Sequence, residues 1–132
     1  TNPSPLVLDL NNAPDIAQTI VVTCFASRIA CELTGLHTLK IKETDRLVAL
    51  ENELKKLGAS ISVTNDSLHL EAARTIHENI AIPTYNDHRM AMAFAPLALQ
   101  VPIKILEANV VTKSYQKFWQ DITQLGVEID QI

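Results

Sequence analysis

Apolar and polar positions change period several times along the chain. Leu6 to Leu10 is a short apolar run that reads as a strand. Asn11-Asn12-Ala13-Pro14-Asp15 then turns into a segment from Ile16 to Ile29 that is apolar on nearly every side (Ile20, Val21, Val22, Cys24, Phe25). That pattern predicts a buried helix, with Asp15 as its N-cap or as a first-turn acid near the positive end of the dipole. Ala30–Leu33 and Leu39–Ile41 read as extended, split by Gly35. From Glu43 to Leu57, Leu47, Leu50, Leu54 and Leu57 recur at helical spacing, Glu51 precedes Lys55 by one turn, and Gly58 follows as a helix-ending glycine. Ile61 and Val63, then Leu68 and Leu70, alternate with polar residues on either side of Asn65-Asp66-Ser67, which predicts a hairpin.

The same order then recurs. Ile80–Tyr85 is extended, Asp87–Leu99 a helix, Ile103–Leu106 a strand, Lys113–Leu125 an amphipathic helix, and Gly126 precedes a last strand, Val127–Ile129. The chain therefore reads as a β-α-β-α-β-β unit repeated at a period of roughly 70 residues. Leu57-Gly58 and Leu125-Gly126 are matching stops, and Asp15 and Asp87 fall at equivalent helix entrances, as do Glu43 and Lys113. Pro96 sits inside the predicted Asp87–Leu99 helix, where proline costs ~3 kcal/mol. It implies either a packed kink or a break near Ala95.

Composition narrows the class. With 132 residues, 47% of them hydrophobic, the chain can bury a core but makes one domain at most. Eleven Lys plus Arg against fifteen Asp plus Glu, a formal charge of −4, argue against a nucleic-acid footprint. The cations are focused all the same: Lys40, Lys42 and Arg46 lie together while the acids are scattered, which suits a small anionic ligand. Cys24 and Cys31 have apolar neighbours and read as reduced core thiols. No Cys or His spacing offers a metal site. The longest apolar run, Thr19–Ala30, falls short of the ~20 residues of a membrane span and contains Arg28, and no secretory pattern is present. The opening Thr1-Asn2-Pro3-Ser4-Pro5 reads as a tail, so a piece of a longer protein is expected.

The chemistry concentrates at helix mouths. Lys40-Ile41-Lys42-Glu43-Thr44-Asp45-Arg46 and Tyr85-Asn86-Asp87-His88-Arg89-Met90 each pack unlike charges at the start of an apolar-faced helix. Helix N-termini present unpaired N–H groups and partial positive charge to phosphate and carboxylate groups. Lys and Arg there add charge-assisted bonds, and Arg can grip a carboxylate with two. Lys42, Arg46, Arg89 and Lys113 together would hold a ligand with more than one anionic group, with Asp15 and Glu43 available for proton transfer. Taken singly, several of these have plainer readings. Asp15 serves as an N-cap, Asp45 balances a dipole, Lys113 is an exposed helix-start lysine, and Glu43 with Lys42 and Arg46 is a surface ion network of little worth. Arg89 resists that reading, because His88 and Arg89 open a helix made otherwise of Met, Ala, Phe and Leu.

Lys42-Glu43-Thr44-Asp45-Arg46 followed by Asp87-His88-Arg89-Met90-Ala91-Met92 resembles the paired C-terminal signatures of the 5-enolpyruvylshikimate-3-phosphate synthase family. Pro14-Asp15-Ile16-Ala17 and Thr112-Lys113-Ser114-Tyr115 fall where that family has a catalytic aspartate and a late lysine. The resemblance covers nearly the whole chain and implies an α/β (α+β) fold: tandem β-α-β-α-β-β units of the enolpyruvyl transferase inside-out α/β barrel, two of the family's six. Residues 1–132 would then be a partial C-terminal domain, with one unit over about 5–72 and another over about 79–132.

The activity it implies is transfer of the enolpyruvyl group of phosphoenolpyruvate to the 5-hydroxyl of shikimate 3-phosphate. That reaction releases phosphate and belongs to chorismate and aromatic amino acid biosynthesis in the cytoplasm. It needs no metal or organic cofactor, nucleic acid or membrane, and glyphosate is the implied competitor. By position, Asp15 would act as base at the 5-hydroxyl, Glu43 would move the methylene proton, and Lys42 would contact shikimate 3-phosphate. Arg46 and Arg89 would bind the phosphoenolpyruvate carboxylate, and Lys113 its phosphate with a share in proton transfer. His88 would stand beside that ligand. Thr38 replaces an asparagine that many members carry, which places its shikimate-phosphate contact in question.

The missing N-terminal domain of the same enzyme is the implied partner, and without it the isolated chain is expected to be inactive and to self-associate through an uncovered apolar face. Two rivals remain at this point. One is an enzyme like the UDP-N-acetylglucosamine enolpyruvyl transferase. The other is a non-catalytic anion-binding α/β module.

Overall fold

A computed structural model describes residues 5–41, 45–111, 115, 117–126 and 129. Strand β1 (Leu6–Asp9) runs parallel to β2 (Cys31–Thr34), with Leu6 opposite Cys31 and Leu8 opposite Leu33. A parallel pair needs a crossover, and α1 (Ala17–Ala26) supplies it. Helix α2 (Arg46–Lys56) leads into the hairpin of β3 (Ile61–Val63) and β4 (Leu68–Leu70), which pairs Ile61 with Leu70 and completes a sheet in the order β1-β2-β4-β3. The pattern then restarts. Strand β5 (Ile80–Pro83) pairs in parallel with β6 (Ile103–Leu106) across α3 (His88–Phe94), and α4 (Phe118–Thr123) follows.

The chain is thus mixed α/β, with β-α-β-α order in both halves. One core joins them: Phe25, Leu33, Leu50 and Leu70 from the first half cluster with Ile82, Met90 and Phe94 from the second. A smaller cluster beside it unites Ala95, Ile105, Phe118, Trp119 and Ile122. Helices α1 and α3 lie against each other, which brings the two first-helix entrances to one side of the molecule.

Several elements differ from the sequence reading. Leu39–Ile41, expected to be extended, belongs to a 3-10 turn over His37–Ile41. Leu36 and Leu39, three apart and both buried, match that tighter period, and Leu39 N donates to Leu36 O at 3.0 Å. Helix α1 stops at Ala26, because Arg28 turns to φ 59 and its guanidinium binds the carbonyls of Ala73 and Arg74. Of the two readings of Asp15 the first-turn acid holds: it is not an N-cap but lies in the first turn of a 3-10 helix, Pro14–Ile16, just before α1. Asp45 is the N-cap of α2, with Oδ1 accepting from Val48 N at 3.2 Å.

Pro96 acts as a break. The α-helix ends at Phe94, and Ala95–Leu99 continues as a 3-10 helix with proline near its start, where its missing N–H has no bond to lose. Helix α4 begins at Phe118, later than expected, and most of the predicted last strand, Val127–Ile129, lies outside the described residues. Cys24 and Cys31 are free and buried, and burial pushes the Cys31 thiol from 9.0 up to about 12.

Candidate anion-binding site

Arg46 is the first residue of α2, yet its side chain is only 2% exposed. Its guanidinium is held on two sides. Nε donates to Asp87 Oδ2 at 2.7 Å and Nη2 to Asp87 Oδ1 at 3.4 Å, while Nη1 donates to Asp15 Oδ1 at 3.1 Å. Asp87 is fully buried and serves as the N-cap of α3, with Oδ1 accepting from Arg89 N at 2.9 Å. A tight turn delivers it: Asp87 N donates to Thr84 O at 2.9 Å, with Tyr85 and Asn86 at φ 57 and 55. Positive φ at both central residues is the mark of a type I′ turn.

A buried ion pair repays its desolvation only when further hydrogen bonds satisfy both partners. Here the carboxylate of Asp87 receives two guanidinium nitrogens and a backbone N–H. Asp15, by contrast, is 42% exposed on its side chain, so the charge relay that begins buried at Asp87 ends at a surface.

That surface is an open cavity of about 240 Å³ lined by Asp15, Thr19, His88, Arg89, Met92 and Tyr115. Arg89 crosses it to place Nη1 3.5 Å from the backbone carbonyl of Asp15. His88 and Arg89 enter because they are the first residues of α3; Asp15 and Thr19 enter because they lie one helical turn apart at the entrance to α1. Tyr115 closes the rim. Its ring stands edge-on to Phe118 at 5.6 Å and its hydroxyl donates to Asp121 at 2.5 Å. A cationic head, a half-exposed carboxylate and an imidazole in one recess suit a small anion undergoing proton transfer.

The structure therefore brings together Asp15, Arg46, His88 and Arg89 from the residues singled out in the sequence. Lys42, Glu43 and Lys113 lie outside the described residues. Thr38 is not among the residues lining the cavity, and its Oγ1 is buried without a hydrogen-bond partner. Arg46 reaches the cavity through Asp15 rather than lining it. Two contributors carried no assigned role in the sequence reading. Asp87 had one available signal, a lone acid opening an apolar helix opposite a surplus of Lys and Arg at the other mouth. Tyr115 had only its place just beyond Lys113. Among the described residues no group of three or more His, Cys, Asp or Glu could hold a metal ion, and no helix is long and apolar enough to cross a membrane.

The chain is similar to known proteins. The family described as EPSP synthase (3-phosphoshikimate 1-carboxyvinyltransferase) matches residues 3–122. A 3-phosphoshikimate 1-carboxyvinyltransferase of Bacteroides fragilis is 47% identical over 124 residues, which is 92% of this chain and 30% of that protein. One from Neisseria gonorrhoeae is 35% identical over 119 residues, 89% of this chain and 28% of that protein. Among solved structures, an EPSP synthase from Acinetobacter baumannii superposes with a TM-score of 0.78 at 26% identity, over 90% of this chain and 29% of the other. The chain thus spans about 30% of the length of the curated relatives it matches.

Proposed function

The chain belongs to the EPSP synthase family, and on that premise we propose that it forms one wall of a site for enolpyruvyl transfer from phosphoenolpyruvate to shikimate 3-phosphate. The observation that carries this reading is the Asp87–Arg46–Asp15 chain of ion pairs, which ends on a cavity shared with His88 and Arg89. Both substrates bear a phosphate and a carboxylate, and Arg89 offers the fork that a carboxylate prefers.

In the proposed reaction the 5-hydroxyl oxygen of shikimate 3-phosphate adds to C2 of phosphoenolpyruvate while a proton goes to its methylene carbon. The resulting tetrahedral adduct then loses inorganic phosphate as that carbon gives a proton back, which regenerates the enol double bond. Asp15 is suited to take the hydroxyl proton, because Arg46 fixes one carboxylate oxygen while the side chain stays open to the cavity. Glu43 is assigned the methylene proton, Lys42 the shikimate phosphate, and Lys113 the phosphate of phosphoenolpyruvate with a share in proton transfer. Arg89 takes the carboxylate, and Arg46, which does not line the cavity, acts by holding Asp15 for the ligand. No cofactor enters this scheme.

The rest of the site belongs to the family's other domain, and the present chain corresponds to two units of a partial C-terminal domain, about 5–72 and about 79–132. A cytoplasmic location accompanies this biosynthetic reading. The test is phosphate release by the whole enzyme given phosphoenolpyruvate and one of two acceptors. Release with shikimate 3-phosphate and none with UDP-N-acetylglucosamine is expected. The reverse preference, or turnover by the 132-residue chain alone, would refute the proposal.

A further inference from the structure

The turn before α3 holds an aromatic residue where the backbone favours glycine or asparagine. Tyr85 sits at φ 57, a region that a bulky side chain occupies only when its surroundings over-determine the position. Those surroundings lie on α2. The Tyr85 hydroxyl donates to Glu53 Oε2 at 2.5 Å, and the other oxygen of Glu53, a residue only 1% exposed, accepts from Lys56 Nζ at 2.7 Å. Glu53 follows Arg46 by two helical turns, so the two side chains share a face of α2. That face grips the turn twice, through Arg46 at Asp87 and through Glu53 at Tyr85. Burial, and then the hydrogen bond to Glu53, push the Tyr85 phenol above its ordinary value, so its hydroxyl keeps the donated proton at neutral pH.

We propose that Tyr85 and Glu53 are positioning residues of the anion site: their bond fixes the turn that sets the Asp87 carboxylate, and through it the Arg46 guanidinium and Asp15. What the site acts on rests on the enolpyruvyl-transfer reading, but the coupling requires no substrate. Neither residue lines the cavity. Their effect passes through Asp87, which lies two positions beyond Tyr85 on the same turn.

The test follows the Arg46 Nε–H in the whole enzyme by proton–nitrogen NMR, its resonance assigned by its disappearance in Arg46→Lys. Tyr85→Phe removes the hydroxyl and keeps the ring. Solvent exchange of the Arg46 Nε–H should accelerate about tenfold, while the backbone N–H groups of Leu33 and Leu70, in the sheet, stay within about twofold of their parent rates. Glu53→Gln retains an acceptor for the hydroxyl and should keep Arg46 exchange within about threefold.

Unchanged Arg46 exchange in Tyr85→Phe would overturn the proposal. So would equal acceleration at Leu33 and Leu70, because Tyr85 would then support the whole fold. A full tenfold effect in Glu53→Gln would also overturn it, since the Lys56–Glu53 charge pair would be responsible. The measurement contains no phosphoenolpyruvate or acceptor, so its failure leaves the transferase reading standing. Failure of enolpyruvyl transfer would equally leave this coupling standing.

Discussion

Two ion pairs made by α2 are of opposite character. At its start, Arg46 at 2% exposure meets Asp87 at 0% with a 2.7 Å contact. Near its end, Lys55 and Glu51 form a one-turn pair at 3.5 Å, with side chains 56% and 23% exposed. The charges are alike and the helix is the same, yet burial separates them. Water screens the second pair and supplies most of what the partners supply each other, so it is worth a few tenths of a kcal/mol. The first pair has given up its water, so each partner depends on the other. The proposed function draws on the dependent pair, because a group that cannot relax into solvent holds its neighbour, Asp15, in one place.

Urea unfolding of the 132-residue chain tests that contrast. Asp87→Asn should have the largest effect, a loss of about 3 kcal/mol, since the buried Arg46 guanidinium loses its fully buried carboxylate while the half-exposed carboxylate of Asp15 remains. Arg46→Lys keeps the charge but loses the planar fork, and about 1.5–3 kcal/mol is expected. Asp45→Ala removes the bond to Val48 N at the same end of the helix and should cost about 1 kcal/mol. Glu51→Gln at the far end should change stability by no more than about 0.5 kcal/mol, an effect that vanishes in high salt. If Glu51→Gln matched Asp87→Asn, the contrast drawn from burial would be wrong.

Local periodicity made much of the fold legible. The leucines of α2, the alternation around Asn65-Asp66-Ser67 and the stop at Gly58 each carry their signal within a few residues, and these elements form, with α2 starting at Arg46 after its cap Asp45 rather than at Glu43. Leu39–Ile41 did not, because three residues cannot distinguish a strand from a 3-10 turn. Pro96 announced a disturbance, but choosing a break over a kink depended on packing that sequence does not display.

The site divides in the same way. Arg89, His88 and Asp15 were visible as charged residues at apolar helix mouths. Asp87 was visible there too, but its role was not, because its partner Arg46 lies 41 positions away and a charge count treats both as free. Only the folded chain reveals that Arg46 is spoken for, and that what reaches the cavity from it is a held carboxylate.

The central claim is that this held carboxylate, Asp15, performs proton transfer. The direct measurement is phosphate release from phosphoenolpyruvate and shikimate 3-phosphate by the whole enzyme carrying Asp15→Asn, alongside its urea midpoint. Asparagine can still accept from Arg46 but cannot take a proton. Turnover should therefore fall by about 10²–10⁴ with the midpoint nearly unchanged. Turnover within about threefold of the parent enzyme would contradict the claim, since general-base loss cannot be that small.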